Sequence, residues 1–384
     1  MNYQEYQQRL AQLVALPSIS CAINEWDMSN RAVIECLANW FNELNFTTRI
    51  QEIAPGKFNL IAVLGQDNDD EKGGLILSGH SDTVPYDADK WQSDPFTLVQ
   101  KNDKLYGLGA TDMKGFFPII VEAVKAFAGK APKHPLIVLA TADEESSMAG
   151  ARALMEQGIG FKPKAAIIGE PTNLVPIHMH KGIMIESIRV EGKSGHSSNP
   201  ALGKSALEGM NEVMNSLLSL RSELQLRYRN PGFAVQTPTI NLGCIHGGDG
   251  ANRICASCEL HFDVRLLPGM DTDELRHSIR QRLQPIAETR QVDIVLSSLF
   301  DEVKPFHEPL TSELVAICEE LTGHRSQSVA FATEAPFIQQ LGAQTLVLGA
   351  GSIDQAHQPD EFIPLDQLAP AAKILQTLIQ RYCY

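Results

Sequence analysis

Three short apolar runs, each closing on acidic or histidine residues, constrain this chain more than any other feature. They are LILSGHSD at 75–82, PLIVLATADEE at 135–145 and AAIIGEP at 165–171. Apolar runs of this length, bounded by Gly or Pro, read as strands buried on both faces. Helical patterns over 116–128 and from Ser146 or Ser147 to about 157 separate them. Strand and helix in alternation predict an α/β fold, a mainly parallel sheet flanked by helices. Such a sheet gathers its chemistry at the carboxyl ends of its strands. His80 and Asp82 stand two apart at one such end, and in extended chain positions i and i+2 face the same side. A carboxylate beside a histidine commonly fixes its tautomer and leaves the other ring nitrogen for a metal.

A chain of 384 residues exceeds one ordinary core, so two domains are expected. Helices are predicted over 4–14 and 29–44, and strands over 47–53 and 58–64. After about residue 180 the pattern changes from apolar runs to alternation, clearest in RICASCELHFDVRLLPG at 253–269. Strict alternation marks a half-exposed antiparallel strand. With helices over 205–221 and 272–288, residues 181–294 read as an α+β domain inserted into an α/β domain built from 1–180 and 295–384. The chain returns with helices near 311–322 and 366–381 and a strand at 345–348.

The net charge of -14 excludes nucleic acid and anionic membranes as expected partners. No apolar run approaches the ~18 residues of a membrane span. The N-terminal segment is polar, and the seven cysteines are scattered and odd in number. Both features predict a cytoplasmic protein with reduced thiols.

Five features carry metal-ligating groups: His80 with Asp82, Asp112, Glu144 with Glu145, Glu170, and His357 in the late loop AGSIDQAHQPDE. A single carboxylate at a strand end is more often a cap or a surface charge. Several strand ends of one sheet delivering such groups to one edge is a stronger pattern. Two histidines with three carboxylates suit divalent transition metals, zinc being the usual occupant. Glu144 and Glu145 are adjacent, so in extended chain they diverge, one toward a metal and one toward reacting atoms. A glutamate opening a helix also has a plainer reading, favoured by the helix dipole.

The segments GHSDTVP (79–85), GATDMKG (109–115), ADEESSMAG (142–150), GEPT (169–172), SGHSS (194–198) and the late His357 resemble the M20 metallopeptidases, in family order and across nearly the whole chain. The resemblance implies a zinc-dependent amidohydrolase with a di-metal catalytic domain and an inserted dimerisation (lid) domain. It implies a homodimer acting on a small-molecule amide, with two divalent metals per subunit, zinc first and cobalt or manganese as alternatives. His80 and Glu170 would hold one metal, Glu145 and His357 the other, and Asp112 would bridge them. Asp82 would orient His80, and Glu144 would be general base and acid. A cis peptide is implied between Asp112 and Met113. His196 would stabilise an oxyanion from across a dimer. Substrate contacts by analogy are Arg253 for a carboxylate, with Asn252 beside it, Lys181 as a second cation, Glu334 for an ammonium, and Ser352 with Gly351 through the backbone. Within the family the likeness is to deacetylation of an amino acid, with succinyl-diaminopimelate desuccinylase or aminoacylase chemistry as alternatives. A non-catalytic relative that keeps only the fold is the alternative of another class.

Other signals are weaker. Cys255 and Cys258 lack a second pair for a zinc site, and in one alternating strand they would face opposite sides. His178 and His180 read as active-site lining or surface. Neither GKS segment has the upstream glycine of a phosphate loop, and no GxSxG elbow is present.

Overall fold

The structure, a computed structural model, describes residues 1–66 and 72–384. The chain forms two compact units. One comprises Met1–His178, Glu308–Gln327 and Thr333–Tyr384; the other comprises Met179–His307 and Ser328–Ala332.

The first unit is built on the three apolar runs. Leu136–Thr141, Leu75–His80, Ala165–Ile168 and Gln344–Val347 lie side by side in that order, all parallel. Two antiparallel strands, Lys57–Leu64 and Thr47–Ala54, extend the sheet beyond Leu136–Thr141. Leu75–His80 and Leu136–Thr141 are buried at every position, the pattern of strands covered on both faces. The helices Tyr3–Val14, Arg31–Glu43, Phe116–Lys125 and Leu368–Cys383 bury their apolar stripes in the same core. The register pairs His80 with Thr141 and Ser78 with Ile168, so all the carboxyl ends open at one level.

The second unit is a four-stranded antiparallel sheet, ordered Thr239–Gly247, Ser257–Leu266, Gly182–Glu191, Asp293–Val303. Every second residue of Ser257–Leu266 is buried, from Cys258 to Leu266. The helices Ala206–Arg227 and Thr272–Arg290 cover that face and share its core. The expected end of the insertion, 294, falls at the start of Asp293–Val303, whose mostly exposed residues hide its place in this sheet. Ala206–Arg227 also runs past its expected end, because Val213, Leu217, Leu220 and Leu224 continue one buried stripe.

The run 253–269 is not one strand. Arg253–Ile254 pairs with Gly195–His196, and a new strand starts at Ser257. The intervening carbonyls bend away: Cys255 O accepts from Ala206 N at 2.9 Å and Ala256 O from Gly192 N at 2.7 Å. Cys255 and Cys258 are therefore both buried rather than on opposite faces, and both are free thiols. Among the described residues no helix is long and apolar enough to cross a membrane.

Candidate metal centre

Three of the parallel strands of the first unit, Leu75–His80, Leu136–Thr141 and Ala165–Ile168, end at or just before residues of one cluster. Leu75–His80 ends on a buried histidine. His80 Nδ1 lies 3.0 Å from the backbone carbonyl of Asp82, so it carries the proton and Nε2 faces inward. The Asp82 carboxylate is farther, 3.7 Å from Nδ1. Its oxygens accept instead from the backbone N–H groups of Glu144, at 3.3 Å, and Glu145, at 3.1 Å. The Asp82 carbonyl is thus the nearer partner of His80 Nδ1, and the carboxylate, 3.7 Å from the ring, also grips the loop after Leu136–Thr141.

That loop is not extended. Asp143 adopts φ 55°, and Ser147 and Met148 donate back to its carbonyl, so Glu144 and Glu145 sit in a tight turn and the helix begins at Ala149. The turn is anchored from behind. Lys57 Nζ is 2.8 Å from Asp143 and 2.7 Å from Asp27, and Ser20 Oγ donates to Asp143 at 2.9 Å. Turned rather than extended, the two glutamates still reach different partners. Glu145 groups with His80 and Asp112, and Glu144 with His80 and Glu170.

Asp112 stands between the two histidines. Its Oδ1 is 2.9 Å from His80 Nε2 and its Oδ2 is 3.6 Å from His357 Nε2. His357 Nε2 is 3.0 Å from Glu145, and Glu170 is 4.0 Å from His80. The Asp112–Met113 peptide is cis, as the resemblance implies. His80, Asp112 and Glu170 are buried, whereas the His357 side chain is 54% exposed.

The electrostatics are those of a site short of positive charge. Burial, then the Glu170 charge, pushes the Glu144 carboxyl well above the usual range. Burial, then Asp112, does the same to Glu170 and more mildly to Glu145. The Glu145 hydrogen bond raises His357 to about 9. Burial opposes the charged form of His80, but its Asp112 partner prevails and raises it. Oε1 of Glu145 is buried without a hydrogen-bond partner. An orphaned carboxylate oxygen among crowded acids and two imidazoles, with no lysine or arginine ion pair among the described residues, is a donor set that fits divalent cations.

The remaining expected residues are divided between the two units. In the second unit His196 and Arg253 are cross-strand neighbours, and Ser197 N donates to the Asn252 carbonyl. His196 Nδ1 accepts from Ser198 Oγ at 2.7 Å, and Arg253 donates to Asp249 at 2.5 Å; both are exposed. Lys181 is buried, its Nζ donating to the Thr237 carbonyl at 2.8 Å, with the Phe233 ring alongside. In the first unit Glu334 is sealed in the sheet layer. It accepts from Ser78 Oγ and, at 2.7 Å, from Thr141 Oγ1. Glu334 and Lys181, expected as substrate contacts, are buried and hydrogen-bonded to neighbours in their own units. Ser352 Oγ caps a short turn through Asp354 N, and Gly351 passes so near Thr111 that a Cβ there would meet its hydroxyl at 2.7 Å. His178 and His180 are buried, not surface residues.

Sequence reasoning passed over Glu361. This buried carboxylate accepts three backbone N–H bonds from the Asp112 loop: Gly109 at 2.8 Å, Thr111 at 2.7 Å and Asp112 at 2.9 Å. Burial pushes it up to about 8 even so. Its only signal was a glutamate four residues past His357 in HQPDE.

Residues 76–381 match the family model of Peptidase family M20/M25/M40. A protein named acetylornithine deacetylase from Vibrio vulnificus is 49% identical over 379 residues, covering 97% of each chain. One of the same name from Proteus mirabilis is 47% identical, covering 97% of this chain and 95% of its own. Among solved structures, a Staphylococcus aureus tripeptidase superposes with TM-score 0.75 at 18% identity, covering 100% of this chain and 99% of its own. An M20 family metallo-carboxypeptidase from Sulfolobus solfataricus superposes with TM-score 0.73 at 18% identity, again covering 100% and 99%. At that identity the likeness concerns the fold alone.

Proposed function

From the premise that this chain belongs to Peptidase family M20/M25/M40, we propose that it is a two-metal amide hydrolase converting N2-acetyl-L-ornithine and water to L-ornithine and acetate, a deacetylation of arginine biosynthesis. The observation that carries the chemistry is Asp112, one oxygen toward each histidine, with Glu145 and Glu170 beside it. The substrate rests on relatives of that name at 46–49% identity over nearly full length.

His80 and Glu170 are proposed to hold one ion, Glu145 and His357 the other, with Asp112 shared. Divalent ions, zinc first and cobalt or manganese as alternatives, would supply Lewis acidity toward the acyl oxygen and the attacking water. Glu144 takes a proton from that water as its oxygen bonds to the acetyl carbon. As the carbon–nitrogen bond breaks, Glu144 returns the proton to the departing α-amine. Asp82 holds Glu144 in place through the backbone. Arg253, with Asn252 beside it, is proposed to meet the substrate carboxylate, which a guanidinium grips in bidentate fashion. Ser352 and Gly351 are proposed to line the pocket. The seven free cysteines support a cytoplasmic, reducing setting.

The deciding assay offers N2-acetyl-L-ornithine and N-succinyl-diaminopimelate in parallel, before and after chelation. Expected is deacetylation that chelator abolishes and Zn²⁺ or Co²⁺ restores. Faster turnover of the succinyl substrate overturns the substrate assignment.

His196 is proposed to donate to the developing oxyanion from a second copy of the chain in a homodimer. Its exposure on a two-stranded ribbon supports this. His196→Ala is expected to lower kcat by about 10²-fold with metal content unchanged. Mixed dimers of His196→Ala and Glu144→Ala chains should regain part of the activity. No recovery in those mixtures would remove the cross-subunit role.

A further inference from the structure

We propose that Glu361 is a positioning residue that sets the distance between two metal ligands far apart in sequence, Asp112 and His357. The inference rests on the two-metal reading above and adds to it a group that touches neither substrate nor metal.

A buried carboxylate that accepts three backbone N–H bonds can serve merely to close a loop. What distinguishes this one is what the two joined segments carry. The strand Phe362–Pro364 pairs antiparallel with Lys104–Tyr106, with Phe362 opposite Tyr106. Beyond that rung the two chains part. One runs forward from Gly107 to Asp112, and the other runs back from Glu361 to His357. Glu361 spans the gap with both ends of its residue. Its backbone carbonyl accepts from Gly107 N at 3.0 Å. Its Oε2 accepts from Gly109 N at 2.8 Å, and its Oε1 accepts from Thr111 N at 2.7 Å and Asp112 N at 2.9 Å. Thr111 Oγ1 closes the ring by donating to the Phe362 carbonyl.

One of the carboxylate's bonds is made to the peptide nitrogen of Asp112 itself. The carboxylate therefore fixes the backbone from which that side chain reaches both histidines. At the other end, His357 is the ligand the fold secures least. Its side chain is 54% exposed and its backbone sits at φ 59°, on a loop rather than a strand end. Three residues separate it from the clamp. His80, by contrast, ends a strand paired on both sides and is held by the Asp82 carbonyl. Loss of the clamp should therefore loosen the ion shared by Glu145, His357 and Asp112 more than the ion on His80 and Glu170. Neutral Gln keeps one acceptor oxygen but turns an NH₂ group toward a donor, so it should retain part of the clamp.

The experiment titrates Co²⁺ into chelator-stripped full-length chains and follows the visible absorption of the bound ion. Native protein, Glu361→Ala, Glu361→Gln and His357→Ala are compared, with the melting temperature of each metal-free chain. The native chain should take two equivalents. Glu361→Ala should keep one and bind the other at least about tenfold more weakly, with the spectrum His357→Ala gives and a near-native metal-free melting temperature. Glu361→Gln should fall between. A Glu361→Ala titration superimposable on native overturns the proposal. So does equal weakening of both equivalents in step with a lower metal-free melting temperature. If Glu361→Ala does not fold, Glu361→Gln decides: a native-like titration by that variant overturns the clamp. A native chain that takes only one equivalent sinks the two-metal reading instead, and Glu361 is then judged by whether its variants weaken that single equivalent.

Discussion

Each unit buries a group of carboxylates against its sheet, and the two groups behave oppositely. In the second unit Glu186 is fully buried and Glu302 half-buried, with the Arg276 guanidinium between them. Its Nη2 lies 2.8 Å from Glu186 and 2.6 Å from Glu302, and Thr272 Oγ1 donates to Glu302 at 2.9 Å. In the first unit Glu144, Glu145, Glu170 and Asp112 crowd around two imidazoles, and among the described residues their ion pairs are to these histidines rather than to a lysine or arginine. Each group leaves one buried carboxylate oxygen without a hydrogen-bond partner, Oε2 of Glu186 and Oε1 of Glu145. An orphan oxygen alone therefore does not mark a site. What separates the groups is the source of positive charge. Arg276 holds Glu302 below its ordinary range despite burial, whereas the first group's glutamates are pushed up by burial and by one another. A chain that supplies its own counter-charge has built a support; one that withholds it has left room for a cation.

The largest test of that contrast is Glu144→Ala. If Glu144 is the proton carrier and not a ligand, activity should fall about 10⁴-fold, about 5.4 kcal/mol of barrier, while bound metal stays at the native level. Steady-state kinetics beside elemental analysis of the protein check both halves. Loss of metal in step with activity would make Glu144 a ligand. Arg276→Met is the counterpart in the other unit. It strips from Glu186 its one ion-pair partner among the described residues, and an uncompensated buried carboxylate costs about 3 kcal/mol or more. Denaturant unfolding should register that loss while metal content is unchanged. A variant as stable as native would show that the guanidinium is not what holds those two carboxylates.

How much of this could be read beforehand depended on what carried each feature. The parallel sheet was legible because Leu75–His80, Leu136–Thr141 and Ala165–Ile168 are apolar throughout, which only strands covered on both faces tolerate. His80, Glu144, Glu145 and Glu170 were legible because they follow those runs directly. Asp112 and His357 sit on loops with no periodicity, so they were legible as residue types, and their roles came only through motif likeness. The supports could not be read at all. That the Asp82 carboxylate holds the Glu144 and Glu145 backbones depends on Asp143 turning to φ 55°, which no pattern of side chains announces. Glu361 is bonded to main chain 249 to 252 residues away, so nothing local signals it. The surroundings of Glu334 and Lys181 were hidden for a related reason. A charged letter reads as available to solvent, yet here their partners are Ser78, Thr141 and the Thr237 carbonyl, contributed by distant segments.

The smallest expected effect tests the self-compensated group through pH. Burial works to raise the Glu302 carboxyl, but hydrogen bonds from Arg276 and Thr272, with the nearby Arg276 and Lys304 charges, hold it lowered. Asp273 also faces the guanidinium, 3.5 Å from Nη1. A carboxyl whose folded pKa lies below its unfolded value contributes stability that is complete above the unfolded value and is lost as pH falls through the folded one. The second unit should therefore loosen as pH drops below the ordinary carboxylate range, and not near neutrality. Hydrogen exchange over Thr272–Arg290 and Asp293–Val303 reads this locally, apart from the metal centre. Native protein should lose protection there on acidification. Glu302→Gln should start less protected at neutral pH and change less, because the group that titrates is gone. Equal acid slopes in the two proteins would mean that Glu302 is not the titrating support, and the contrast between the two carboxylate groups would then rest on Glu186 alone.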